Sequence, residues 1–356
     1  MISPVKLRTG LSVMALLAAA LAIGASPLSG QARPGPQIPA PPQESDSETA
    51  AKPETSPSGG IAVESALVYV DVLVTDEDGK VLGGLKQSNF RVFDDGELRA
   101  VTNFAAADEP ITIVLLLEYS GLSYDYFAYK GAAWGSRFLD ELTPQDWVAL
   151  VTYDLRSRVA VDFTHSKPQI NDALQMMSYP AFREANMFDA VADTLDQLDH
   201  VKGKKSILLI GTGADTFSSH TLQETYGRLK ESDVTVFCIG TAEQEYAGAD
   251  TSISYVQAKN ALHTFAKLTG GLAWFPRFEG ELQDIFASVS GFLRNQYRVG
   301  FSPVALPHDG KYRKIRIEVV GEDGKPLVVT NEKGKRRKVT VFAREGYVDT
   351  KISAGK

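Results

Sequence analysis

Sulfur chemistry is all but missing from this 356-residue chain, which holds one cysteine, Cys238. No intrachain disulfide can form, and zinc or iron–sulfur centres built on cysteine are excluded. Cys238 sits in the apolar run VTVFCIG, where a small buried side chain is expected rather than a reactive thiol. Histidine is also scarce. The five, His165, His200, His220, His263 and His308, show no spacing that pairs two of them for a metal. His200 and His220 fall at helix or loop edges and read as solvated surface residues. No G-x-S-x-G elbow is present, so the hydrolase nucleophile it would carry is missing. GTGAD lacks the fuller GxGxxG dinucleotide pattern, which leaves Gly211 and Gly213 as turn residues. Positive charge is not in excess. Lys and Arg total 37 against 44 Asp and Glu, a net of −7 that argues against non-specific nucleic-acid binding.

What is present begins with an export pattern. Lys6 and Arg8 precede an apolar run at residues 11–25 that is too short for a comfortable membrane span, and small residues follow. Residues 1–32 are therefore expected to be a signal peptide, with cleavage after Ala25 or after Ala32; an uncleaved N-terminal anchor is the alternative. After cleavage no stable membrane span is expected. Residues 33–61 are rich in Pro, Ser, Ala and Glu and cannot bury enough apolar surface to offset ordering entropy, so they read as a disordered linker. An exported chain of this kind belongs to the periplasm or the extracellular space.

Three patterned segments follow. Residues 62–108 carry the alternating run ALVYVDVLVTD and a second strand pair around a DDG turn. Residues 109–296 alternate apolar strand runs, at 111–117, 147–153, 157–163, 206–210, 234–239 and 272–275, with helical patterns at 124–141, 167–177, 187–198, 221–232, 256–268 and 279–296. Continuous apolar runs at 111, 206 and 234 suit central parallel strands covered on both faces. VALVTYDLRSRVAVDFT looks like a hairpin and predicts one antiparallel edge strand. Residues 297–349 return to strands between Gly, Pro and Asp turns and hold a basic cluster, Lys311, Arg313, Lys314, Arg316, Lys333, Lys335, Arg336, Arg337 and Lys338. A solvated strand face is expected of that cluster in preference to an anion or glycan site. The fold class is α/β: a doubly wound, mostly parallel six-stranded sheet. Beside it, a small split β-sandwich is built from the N- and C-terminal β segments.

In such a sheet ligands bind outside the carboxyl ends of the strands. The stretch ITIVLLLEYSGLS delivers Glu118, Ser120 and Ser123 to that edge. Together with VDVLVTDEDGKVLGGLKQSNFRVFDDGE, LDELTPQDWVALVTYDLRSRVAVDFT, KKSILLIGTGADTFSS and YRVGFSP, it resembles the von Willebrand factor A-related proteins common in acidobacteria, over roughly residues 62–349. The resemblance implies a Rossmann-like domain that binds other macromolecules. It also implies a divalent cation held by Asp-x-Ser-x-Ser after the first strand, a Thr from a second loop and an Asp after the fourth strand.

This chain departs from that pattern. Glu118 stands at the first Asp position, Ser120 matches, and Leu122 takes the second Ser position with Ser123 one residue late. EANMFDAV aligns on Asp189 and puts Ala185 where the Thr belongs; Thr212 stands where the last Asp belongs, with Asp215 three residues on. Glu118 and Ser120 are thus the metal residues of a degenerate site, where magnesium would bind weakly. Rescue would have to come from Ser123, Asn186 or Asp215. No other cofactor is expected. Without a cation, Glu118 accepts local hydrogen bonds and Ser120 caps the following helix.

The paired acids Asp193 and Asp196 lie on an amphipathic helix and read as its solvated face, so no enzyme is expected. The expectation is an exported, non-enzymatic module. It would present Ser123, Asn186, Thr212 and Asp215, with a polar loop at residues 244–254, to a protein or cell-surface partner. The alternative is a structural or assembly component of a cell-envelope complex that docks through its β-sandwich.

Overall fold

The computed structural model describes residues 67–105, 110–122, 138–177, 180, 182–241, 253–278, 280–303, 310–330 and 334–348. The leading segment forms β1 (Val68–Asp76), β2 (Phe90–Asp94), β3 (Glu97–Arg99) and β4 (Val101–Ala105). Between β2 and β3, Asp95 and Gly96 both take positive φ, 48° and 92°. That is the two-residue loop an Asp-Gly pair favours, and it sets the pairing of Asp94 with Glu97.

The middle segment follows as β5 (Ile111–Glu118), β6 (Trp147–Tyr153), β7 (Ser157–Thr164), α1 (Lys167–Gln175), α2 (Met187–Asp199) and β8 (Lys204–Gly211). It continues through α3 (Leu222–Glu231), β9 (Thr235–Gly240), α4 (Ile253–Thr269), β10 (Ala273–Trp274) and α5 (Glu281–Arg294). Its six strands order as β10-β9-β8-β5-β6-β7, parallel throughout except for β7, which runs antiparallel to β6 at the edge. The apolar runs explain the arrangement. Every residue of β5 and β8 is buried, because alternate side chains feed two different cores. Ile113, Leu115 and Leu117 meet α1 and α5 on one face; Val114 and Leu116 meet α2 and α4 on the other. β7 has one buried residue, Val161, as suits an edge. The expected helix at 124–141 lies outside the described residues except for 138–141, of which 138–140 are helical and 141 is a turn.

Two adjacent lysines fasten helices to this sheet. At the start of β8, Lys204 and Lys205 point to opposite faces. The Lys204 ammonium donates to the carbonyls of Leu293 (2.8 Å) and Gln296 (3.2 Å) at the end of α5. Lys205 donates to Leu198 O at the end of α2 (3.1 Å) and pairs with Asp233 at 2.6 Å. Each cation answers the negative end of one helix.

The trailing segment forms β11 (Tyr297–Phe301), β12 (Tyr312–Val319), β13 (Val328–Thr330), β14 (Arg336–Ala343) and β15 (Gly346–Val348). Its strands interleave with the leading ones in two antiparallel sheets, β13-β14-β1-β11-β4 and β15-β12-β2-β3. Their facing sides share one apolar core of Val70, Val72, Phe90, Val92, Tyr297, Val299 and Ile315, as a split sandwich requires. The basic face is not uniformly solvated. Arg313 pairs with Asp95 at 3.5 Å, and Arg337 pairs with Glu77 at 2.7 Å. The sandwich lies against the α/β core, where Gly270 (φ +82°) abuts the β14 end so closely that an added Cβ would stand 2.6 Å from Arg344 N.

Asp146 locks the base of the sheet. Its carboxylate accepts from the N–H groups of Ile111 (3.0 Å) and Thr143 (2.6 Å) and from the Arg294 guanidinium. Burial opposes its charge, but Arg294 and these N–H groups outweigh burial and hold the carboxyl below its ordinary 3.8. A depressed carboxyl stabilises the fold above that ordinary value and stops doing so as pH falls through the lowered one. Asp146→Asn should therefore cost about 2–3 kcal/mol at pH 7 by urea unfolding, with the gap to the parent narrowing in acid.

Candidate functional site

Strand β5 ends on Glu118, opposite Tyr153 at the end of β6 and beside the end of β8. The Glu118 side chain is sealed from solvent, with 0% exposure. Its Oε2 accepts from the Thr212 backbone N–H at 2.7 Å and the Thr212 hydroxyl at 2.8 Å, with the Tyr153 hydroxyl at 3.5 Å. Its Oε1 accepts from the Ser120 hydroxyl at 2.7 Å, and Ser120 Oγ accepts in turn from Leu122 N at 3.1 Å. Burial pushes the Glu118 carboxyl upward; the donors from Ser120, Thr212 and Tyr153 pull the other way. Burial, then the Glu118 charge, raises Tyr153 well above its usual value, so its hydroxyl stays protonated.

Gly211 is required by this cluster and not by a turn. It lies within β8 at negative φ, and an added Cβ would stand 2.6 Å from Tyr153 Oη and 2.7 Å from Glu118 Oε2. Gly213, with φ +79°, is the turn glycine.

The other expected site residues turn away from Glu118 and brace the loop after β8. Asp215 Oδ1 accepts from Phe188 N in the first turn of α2 (2.9 Å) and from Ser218 Oγ (2.6 Å). Ser218 Oγ accepts from Asp189 N at 3.1 Å. The loop thus supplies the caps that α2's own N-cap residue, Asn186, does not. Asn186 instead spends its side chain on the loop. Its amide donates to Leu155 O (3.1 Å) and Phe217 O (3.2 Å) and accepts from Phe217 N at 3.1 Å. Ala185, at the expected Thr position, is buried, and its backbone pairs with Thr216. Asp189 accepts from Ser219 N at 2.8 Å, His220 N at 2.9 Å and His220 Nδ1 at 2.7 Å. Burial opposes the Asp189 charge, but these donors hold its carboxyl below the usual range. Burial raises Asp215, against the donors from Phe188 and Ser218, and the nearby Asp189 charge adds to the rise.

Of the residues expected together, Glu118, Ser120 and Thr212 converge, while Asn186 and Asp215 join a second, adjacent network. Ser123 and residues 244–252 of the polar loop lie outside the described residues, and the loop's last two positions, 253 and 254, open α4. Asn186 and Thr212 are buried and Asp215 is partly so. The exposed large apolar side chains at this edge are Phe217 (69%) and Phe182 (42%), beside exposed Arg183, Thr216 and Ser219. His220 is not a free surface histidine, since it is held by Asp189. Tyr153 went unremarked in the sequence because it meets Glu118 across the sheet, 35 positions away. Asp193 and Asp196 bond Ser157 and Arg228 on the exposed side of α2, as a solvated face does.

The residues present do not fit a hard divalent cation. Glu118 brings the one carboxylate of the buried cluster, and both its oxygens already accept short hydrogen bonds from Ser120 and Thr212. The remaining positions offer Leu122 and Ala185 instead of oxygen ligands. Among the described residues, no three His, Cys, Asp or Glu side chains converge on a metal position.

Residues 113–269 match the family model for the von Willebrand factor type A domain. A search of curated proteins returned no match. Among solved structures, a von Willebrand factor type A protein from Catenulispora acidiphila is similar at 14% identity over 80% of this chain and 76% of its own, with a TM-score of 0.43. The protein BatB from Bacteroides thetaiotaomicron is similar at 14% identity over 51% of this chain and 98% of its own, with a TM-score of 0.39. The corresponding domain of the type V pilus tip protein Mfa5 from Porphyromonas gingivalis gives 13% identity over 52% and 95%, with a TM-score of 0.41.

The glycine geometry yields a paired expectation. Gly211→Ala should destabilise the fold by roughly 1–3 kcal/mol through overpacking against Glu118 and Tyr153. Gly227→Ala, inside α3 with nothing within 4 Å of the added Cβ, should be neutral or gain up to about 1 kcal/mol. Thermal unfolding of the two variants checks both signs.

Proposed function

Because residues 113–269 are a von Willebrand factor type A domain, we propose that this chain is a non-enzymatic binding module. It holds a protein or cell-surface partner at the carboxyl edge of its sheet, and its metal-ion-dependent adhesion site is degenerate. The carrying observation is Phe217, an exposed aromatic whose backbone is gripped on both sides by the buried Asn186 amide. Rigid aromatic anchors on a fixed frame contribute disproportionately to protein interfaces, since little freedom is lost on binding. Asn186, Thr212 and Asp215 support this face from beneath, and Phe217 with Phe182 meets the partner. Export is part of the proposal and rests on Lys6, Arg8 and the apolar run at 11–25. No helix among the described residues is long and apolar enough to cross a membrane.

A second reading has its own support. The outer side of the four-stranded sheet holds an open cleft of about 580 Å³ lined by Phe93, Tyr312, Lys314 and Arg316. A chain that docks through its sandwich would use it.

Envelope-fraction capture by the immobilised full chain separates the two. Loss with Phe217→Ser and retention with Lys314→Glu supports the sheet edge; the reverse pattern supports the sandwich. Calorimetry with millimolar magnesium or manganese should give no heat. A binding heat that vanishes in Glu118→Ala would overturn the degenerate assignment.

A further inference from the structure

We propose that Glu118 is a positioning residue that takes over a cation's structural task, holding the loop at 212–220 in one conformation with no metal. The inference rests on reading this edge as the binding face and adds how that face is kept in shape.

The geometry points to Glu118 because of what it joins. Its side chain leaves β5 and reaches the first residue beyond β8, taking both the N–H and the hydroxyl of Thr212 on one oxygen. An aspartate at this position is one methylene shorter and would draw back from those donors. Thr212 Oγ1 accepts from Ala214 N at 3.1 Å, which carries the constraint into the loop. From there each residue has its own fastening. Asp215 and Ser218 cap α2, Thr216 pairs with Ala185, Phe217 is gripped by Asn186, and Ser219 and His220 bond Asp189. Gly211 leaves room for the carboxyl and Tyr153 closes over it. The substitutions that remove metal ligands, Leu122, Ala185 and Thr212, therefore coincide with a set of bonds that makes the ligands unnecessary.

Hydrogen exchange on the full chain, read at amides 214–220, tests this without a partner. Glu118→Ala should speed exchange there by about tenfold or more while amides of α5 and β1 keep theirs, because local opening is freed and the global fold is not. Glu118→Gln, whose amide can accept from Thr212 and donate to Ser120, should stay within about threefold of the parent. Thr212→Val, which keeps the backbone donor, should fall between and serves if Glu118→Ala does not fold. Five millimolar magnesium, roughly the hard-cation range of weak sites, should leave the parent unchanged. Unchanged protection in Glu118→Ala or Thr212→Val would overturn the proposal. So would a Glu118→Gln chain as labile as the alanine variant, or parent protection that rises with magnesium. None of these results depends on whether Phe217→Ser alters capture, so the two readings fail separately.

Discussion

One buried carboxyl decides the local order at the carboxyl edge of the sheet. Withdrawing Glu118 from water is unfavourable unless its oxygens are satisfied. The satisfying groups come from its own strand exit, from β6 and from the residue beyond β8. They meet only when β5, β6 and β8 hold their parallel register, so the cluster and the sheet specify one another. Thr212 passes the constraint on to Ala214, and beyond that point the loop is braced residue by residue against Asn186 and α2. A fully paired buried network of this kind favours one arrangement over its neighbours, since partial satisfaction is worse than none.

A comparable economy operates at the opposite end of the sheet. Lys204 and Lys205 are neighbours in sequence and, because strand side chains alternate, serve helices on opposite faces. Asp146 closes the same end by joining the starts of β5 and β6 to the last turn of α5. Both ends of the sheet are thus fixed by buried ionisable groups met with hydrogen bonds, while its middle is held by strand pairing and by aliphatic and aromatic packing.

The fold was legible because its signals are periodic. Continuous apolar runs marked β5, β8 and β9, and the hairpin pattern marked β7 as the antiparallel edge. The DDG turn appears as Asp95-Gly96 at positive φ. Ends were less legible: β8 begins two residues before its apolar run, because Lys204 and Lys205 are buried by helix termini that no local pattern announces. At the site, the resemblance picked out Glu118, Ser120 and Thr212, and these do converge. It said nothing of Tyr153, Gly211 or Ser218, whose roles arise from contacts across the sheet and between loops. Polar residue type also misled about exposure. Asn186 and Thr212 look like surface contacts, yet their polarity is consumed by internal partners, and the exposed residues of the loop include Phe217, an aromatic that hydropathy alone would have buried.

The interleaved sandwich has a mechanical meaning. β1 is an inner strand of its sheet, paired with β11 along its first half and with β14 along its second. Tension arriving along the chain ahead of Val68 would have to slide β1 past two antiparallel neighbours at once, loading many hydrogen bonds in shear instead of peeling them singly. Those neighbours are the strands by which the chain leaves the α/β core and closes the sandwich. A pull entering at Val68 is therefore met by both neighbours together and passes through β11 into α5, the last helix of the α/β core.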